Sequence, residues 1–179
     1  ALSDAYASWI EKTLVNDRRM SEEEFKAKIG DDVIIKCNLA LKRIVEGINL
    51  IESDNTAFEA FCFMNSAMSL QRSISSYSKK HGKGIECNFG DFVDPKRKEN
   101  LFCWRPFQIA FVLMNLNGIV NPTHADREIV DLLYFPTGGG KTEAFLGACV
   151  FNMFFDRLRG KNDGITAFLK YPLRLLAVQ

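Results

Sequence analysis

The sequence predicts an α/β fold in two parts: a helical N-terminal region over residues 1–100, then, over 101–179, the beginning of an incomplete parallel sheet flanked by helices. Three observations carry that expectation. Apolar residues recur at helical spacing through the first half of the chain. The period is then lost across residues 82–100, "GKGIECNFGDFVDPKRKEN", which gather Gly, Asp, Pro and a basic cluster and mark a boundary. Beyond it, two short apolar runs flank a glycine turn and a helix, the order of a βαβ unit.

Leu2, Tyr6, Trp9, Ile10 and Leu14 predict a first helix, and Ser21 with Glu24 spells a capping box that opens a second. A third has the clearest seam. Ile34, Cys37, Leu41, Ile44, Ile48 and Ile51 alternate three and four residues apart, with Lys36, Lys42, Arg43 and Glu46 off the stripe. It reads as a packed helix of a bundle, since the heptads are too few for a coiled coil. Thr56 and Glu59 are placed to cap a fourth helix bearing Phe58, Phe61, Cys62, Met64 and Met68. Its end is expected at Lys79, Lys80, His81 and Gly82, where cations and glycine suit a C-terminus. Residues 105–116 are apolar nearly all round and predict a buried helix, followed by the polar loop "NGIVNPTHADRE". Residues 129–135, "IVDLLYF", read as a strand buried on both faces. A helix over 143–159 closes at Gly160, and residues 164–171, "GITAFLKY", predict a second buried strand.

Composition excludes some classes. A chain with 47% hydrophobic and 25% charged residues folds, and a formal net charge of +1 gives no electrostatic argument for nucleic acid. Cys37, Cys62, Cys87, Cys103 and Cys149 are odd in number and lack a C-x-x-C pair, so they read as reduced thiols and not as a zinc site. No apolar run reaches the ~18 to 20 residues of a membrane span. The opening "ALSDAYASWIEK" lacks a charged-then-apolar leader, and the expected location is the cytoplasm.

The chemistry concentrates in residues 131–145, "DLLYFPTGGGKTEAF". Gly138, Gly139 and Gly140 let the backbone curl until several N–H groups converge, and the helix that follows adds its positive end. The result is an anion cradle. Lys141 can reach the outer phosphates of a nucleoside triphosphate, and the Thr142 hydroxyl is placed to coordinate the bridging magnesium ion. Glu143 can touch the magnesium shell through water. The expected cofactors are ATP and Mg2+. The plainer alternative is an ordinary glycine-rich turn, against which the flanking strand and helix weigh.

Five positions before Gly140 stands Phe135, where the general P-loop pattern has glycine. The spelling Pro136-Thr137-Gly138-Gly139-Gly140-Lys141-Thr142 instead resembles the P-T-G-x-G-K-T form of superfamily 2 helicases and translocases. Arg105-Pro106-Phe107-Gln108 is similar to the R-P-x-Q element that precedes the P-loop in that superfamily, where a glutamine amide, both donor and acceptor, can pair with the adenine edge. Residues 172–179, "PLRLLAVQ", resemble its P-T-R-x-L-A-x-Q element, which faces the nucleic-acid backbone. Leu173 stands where the pattern has Thr, leaving Arg174 as the candidate phosphate ligand.

From about Lys42 to its end, including "RIVEGINLIESDNTAFEAFCFMNSAMSLQ", the chain resembles the helicase-like family of DISARM, a bacterial anti-phage defence system. The resemblance implies that residues 101–179 begin a RecA-like motor domain, that DNA and other subunits of the defence complex are partners, and that the protein is an ATP-dependent helicase or translocase. A motor also needs an acidic element and an arginine finger from a second such domain. Neither is spelled here, so the chain is expected to be an amino-terminal portion of a longer enzyme, inactive by itself. Two other readings stay open: a different P-loop nucleic-acid-dependent ATPase, or a partner-binding module with a vestigial nucleotide site. His81, His124, Asp126, Arg127 and Glu128 read as structural.

Overall fold

The computed structural model describes residues 2–15, 29–94, 96, 103–134, 136 and 138–170. The elements run α1 (Leu2–Trp9), a π-helical turn (Ile10–Val15), α2 (Ile29–Ser53), α3 (Asn55–His81), the short α4 (Gly90–Val93), α5 (Pro106–Val120), a 3-10 turn (Ala125–Glu128) and α6 (Lys141–Leu158). The capping box expected at Ser21 and Glu24 lies outside the described residues.

The four long helices close a ring: α2 packs on α3 and α5, and α6 packs on α3 and α5. Each contributes to one core. Ile44 comes from α2, Ala57, Ala60, Met64 and Met68 from α3, Val112, Leu113 and Leu116 from α5, and Phe151 and Phe155 from α6. Helices from both sides of residue 100 therefore line the same interior. Phe151 and Phe155, one turn apart, stack at 5.9 Å, and Phe151 is fully buried. At Gly47 the backbones of α2 and α5 come so close that a Cβ would stand 2.1 Å from the Leu113 carbonyl oxygen.

Asp54 alone joins α2 to α3, and its carboxylate accepts the Ala57 N–H at 2.9 Å. This is the N-cap of α3, so Thr56 and Glu59, expected to cap it, fall inside the helix. The first free N–H groups lie nearest the residue that ends the turn, and Asp54 holds that place. The other end agrees with the sequence: α3 stops at His81, with Lys79 and Lys80 in its last turn. The seam of α2 is also seen, with Ile44 fully inside. Arg43, expected off the stripe, is instead only 4% exposed.

The expected α/β class is overturned. Among the described residues there is no strand, so the parallel sheet and the RecA-like βαβ unit are not formed. Residues 129–134 keep a strand-like alternation, in which Asp131 and Leu133 are half-buried while Val130, Leu132 and Tyr134 are 94%, 88% and 90% exposed. A strand, however, is made by ladder hydrogen bonds to a neighbour, which local sequence does not supply. Residues 164–170 likewise form no strand, and Ile165 and Phe168 are exposed. The helices expected on either side do form. α5 spans Pro106–Val120, and α6 closes at Gly160, whose φ of 83° is the left-handed conformation glycine accepts.

Past α6, the buried Asp156 carboxylate accepts from Lys161 Nζ and from Thr166 Oγ1 at 2.8 Å, tying the following loop back to the helix. Burial pushes this carboxyl up, but the hydrogen bonds from Lys161 and Thr166, with the charges of Lys161 and Arg159, outweigh it and hold it below its ordinary value. No helix among the described residues is long and apolar enough to cross a membrane. The five cysteines form no disulfide.

Two outcomes follow from this packing. Gly47→Ala should destabilise the chain toward the upper end of the ~1–3 kcal/mol of an overpacked core, because a backbone carbonyl cannot step aside; chemical denaturation measures it. A depressed carboxyl stabilises the fold above its unfolded value, near pH ~3.9, and that contribution is lost as pH falls through the folded value. Melting temperatures of Asp156→Asn should therefore lie below wild type at neutral pH, and the gap should narrow below about pH 4.

Candidate functional site

The candidate site is built where the start of α5 meets the start of α6. Arg105 precedes α5 in extended conformation (φ −69°, ψ 146°), and Pro106, with φ fixed and no N–H to satisfy, opens the helix. Gln108 reaches back, its Oε1 accepting the Arg105 N–H at 2.8 Å. Trp104 secures this corner: its indole N–H donates to Asn65 Oδ1 of α3 at 2.7 Å, and its ring lies over Gly147 of α6, where a Cβ would stand 2.7 Å from it.

The glycine turn takes conformations that only glycine adopts readily. Gly138 has φ 76° and Gly140 φ 88°, and Gly140 is the N-cap of the 18-residue α6. The Gly139 N–H donates to the Pro136 carbonyl at 3.1 Å, which curls the loop on itself. Two side chains at the entry to α5 hold its carbonyls: Arg105 Nη1 donates to Gly139 O at 2.7 Å and Gln108 Nε2 to Gly140 O at 2.8 Å. Lys141 Nζ lies 3.3 Å from Pro136 O within the same loop, Thr142 is exposed, and a Cβ on Gly140 would stand 3.2 Å from Glu143 Oε2.

Arg105, Gln108, Gly138, Gly139, Gly140, Lys141, Thr142 and Glu143 are thus brought together although more than thirty positions separate Gln108 from Gly140. Thr137 and Arg174 lie outside the described residues. The donor set suits an anion: the first N–H groups of α6 have no intrahelical acceptor, the helix presents its positive end, and Lys141 adds a cation. Gln108 is 5% exposed, with one amide hydrogen on Gly140 O and one lone pair on the Arg105 N–H. It caps α5 and tethers the loop, and adenine would reach it only after the tether opens. Among the described residues no group of three His, Cys, Asp or Glu is arranged to hold a metal ion.

One side-chain cluster beside the site escaped the sequence. Arg43 of α2 donates from Nη1 and Nη2 to the two oxygens of Asp131 at 2.7 and 2.8 Å, and from Nε to Asp126 Oδ2 at 2.8 Å. Its pKa is raised, first by the hydrogen bond to Asp131, against the opposing effect of burial. Asp126 also receives order from its own turn, where its N–H donates to His124 Nδ1 at 3.2 Å. A cation one place from the apolar seam, an acid in a short turn and another in a strand-like run leave no local signal of this pairing.

No protein-family model matches the chain. It is 43% identical over 188 aligned residues to the DISARM protein DrmA of Bacillus paralicheniformis. The alignment takes in 99% of this chain and 16% of that protein, so the chain spans about a sixth of its relative's length.

Alanine at the two left-handed glycines should separate backbone strain from loop tethering. Around Gly138 nothing stands within 4 Å of an added Cβ, so Gly138→Ala should destabilise by the ~1–2 kcal/mol of a left-handed residue alone. A Cβ on Gly140 would stand 2.5 Å from Gln108 Nε2, so Gly140→Ala should destabilise by about 1 kcal/mol more, the net worth of the hydrogen bond it displaces. Equal losses in denaturant titrations would contradict the tether.

Proposed function

We propose that the chain, 43% identical to the DISARM protein DrmA over 99% of its own length, is of that protein's family and carries the phosphate-binding part of an ATP-dependent DNA helicase or translocase serving bacterial anti-phage defence. The observation that supports this most is the glycine turn, in which left-handed Gly140 caps the long α6 immediately before Lys141 and Thr142.

Each group has a task in this reading. The N–H groups at the start of α6 and the Lys141 ammonium hold the outer phosphates, with Lys141 leaving Pro136 O to do so. The Thr142 hydroxyl would hold magnesium, whose charge would neutralise that of the phosphates, and Glu143 would meet the ion through water. Gln108 and Arg105 close the loop until the base arrives, and the Gln108 amide then turns to the adenine edge. Arg174 meets the DNA backbone. Water activation and the arginine finger come from elsewhere in a protein of DrmA's length, together with its partner subunits.

A second reading, a partner-binding module with a vestigial glycine turn, draws support from the buried Gln108 amide, whose nitrogen and oxygen both already hold backbone partners. Lys141→Ala in the full-length protein discriminates the two. For the motor, DNA-stimulated ATP turnover falls at least a hundredfold while DNA binding persists, and Arg174→Ala weakens DNA binding while leaving basal nucleotide binding largely intact. Unchanged turnover in Lys141→Ala would remove the motor reading of this loop.

A further inference from the structure

The chain approaching the glycine turn has no sheet to lie in. Among the described residues it pairs with no strand, and Val130, Leu132 and Tyr134 point almost wholly into solvent. Among the described residues it is held to the helices by Arg43, from the middle of α2. The guanidinium grips Asp131 with two parallel bonds, which fix direction as well as distance, and takes Asp126 with its remaining Nε–H. Asp131 lies five residues before Pro136, whose carbonyl receives both the Gly139 N–H and Lys141 Nζ. A displacement at Asp131 is therefore passed along a short span of chain, at most about 18 Å, to the acceptor around which the loop is curled.

We propose that Arg43 is a positioning residue for the nucleotide site: by holding Asp131 and Asp126 it sets the path of the chain into the glycine turn, without itself touching nucleotide. The inference rests on reading the turn as a phosphate site. It gives the helical N-terminal region a role in nucleotide affinity, because α2 supplies the anchor.

The test uses the full-length protein, with ATP and magnesium as ligand and DNA present, and compares Arg43→Met, Arg43→Lys, Asp131→Asn and, as reference, Lys141→Ala. Positioning predicts that Arg43→Met raises KM for ATP about tenfold while kcat at saturation stays within about twofold. Arg43→Lys should fall between, because an ammonium supplies charge but cannot form the paired bonds. Asp131→Asn, which keeps shape and the Asp126 contact, should shift KM in the same direction and covers the case in which Arg43→Met fails to fold. A purely structural role lowers melting temperature and the active fraction with KM unchanged, and that result would overturn the proposal. If Lys141→Ala abolishes turnover while the Arg43 and Asp131 variants keep wild-type KM, only this inference fails. Wild-type kinetics in Lys141→Ala would mean that the phosphate-site reading itself has failed, and the positioning role with it.

Discussion

The three charge-assisted bonds of Arg43 join two pieces of chain, the middle of α2 and the loop between α5 and the glycine turn. An arginine 4% exposed is tolerated only when its charge and donors are matched, and here two carboxylates match them. The pairing works in both directions. It keeps Arg43 inside a helix whose seam is otherwise aliphatic, and it holds a loop whose apolar side chains are largely in water. Breaking one partner would leave the other buried and uncompensated, so the triad is a stiff joint and not a surface ion pair of negligible worth.

Around that joint the helices converge on the glycine turn from three sides. α2 holds the approach through Asp131, α5 holds the loop carbonyls through Arg105 and Gln108, and α6 receives the loop at Gly140. Close backbone packing makes this geometry reproducible: Gly47 lets α2 and α5 nearly touch, and Gly147 admits the Trp104 ring that fixes the start of α5. The small residues are thus where they determine the distance between elements, and the apolar core behind them supplies the cohesion.

Features encoded by short-range periodicity and glycine chemistry were legible in the sequence. The seam of α2, the cation-rich end of α3 and the closing of α6 at Gly160 depend on neighbours three or four residues away. The same is true of the glycine turn, whose positive φ values follow from local sterics. Residues 129–135 read as a strand because their pattern is that of one, but strand formation depends on a partner that local pattern does not specify. Arg43 was hidden for a related reason: a cation beside an apolar seam, next to Lys42, reads as solvated, and its acceptors lie more than eighty positions away. Gln108 was noticed for chemistry it can perform, while its observed bonds are those of a cap and a tether, roles that a glutamine at the third helical position fills equally well.

A glycine turn that caps a long helix should bind phosphate through its backbone, and amide hydrogen exchange reads that directly. In the full-length protein, adding ATP and magnesium should slow exchange across residues 138–142 while the core of α3 exchanges as before. Exchange across 138–142 that stays unchanged at nucleotide concentrations that saturate turnover would contradict the assignment of this turn as the phosphate site.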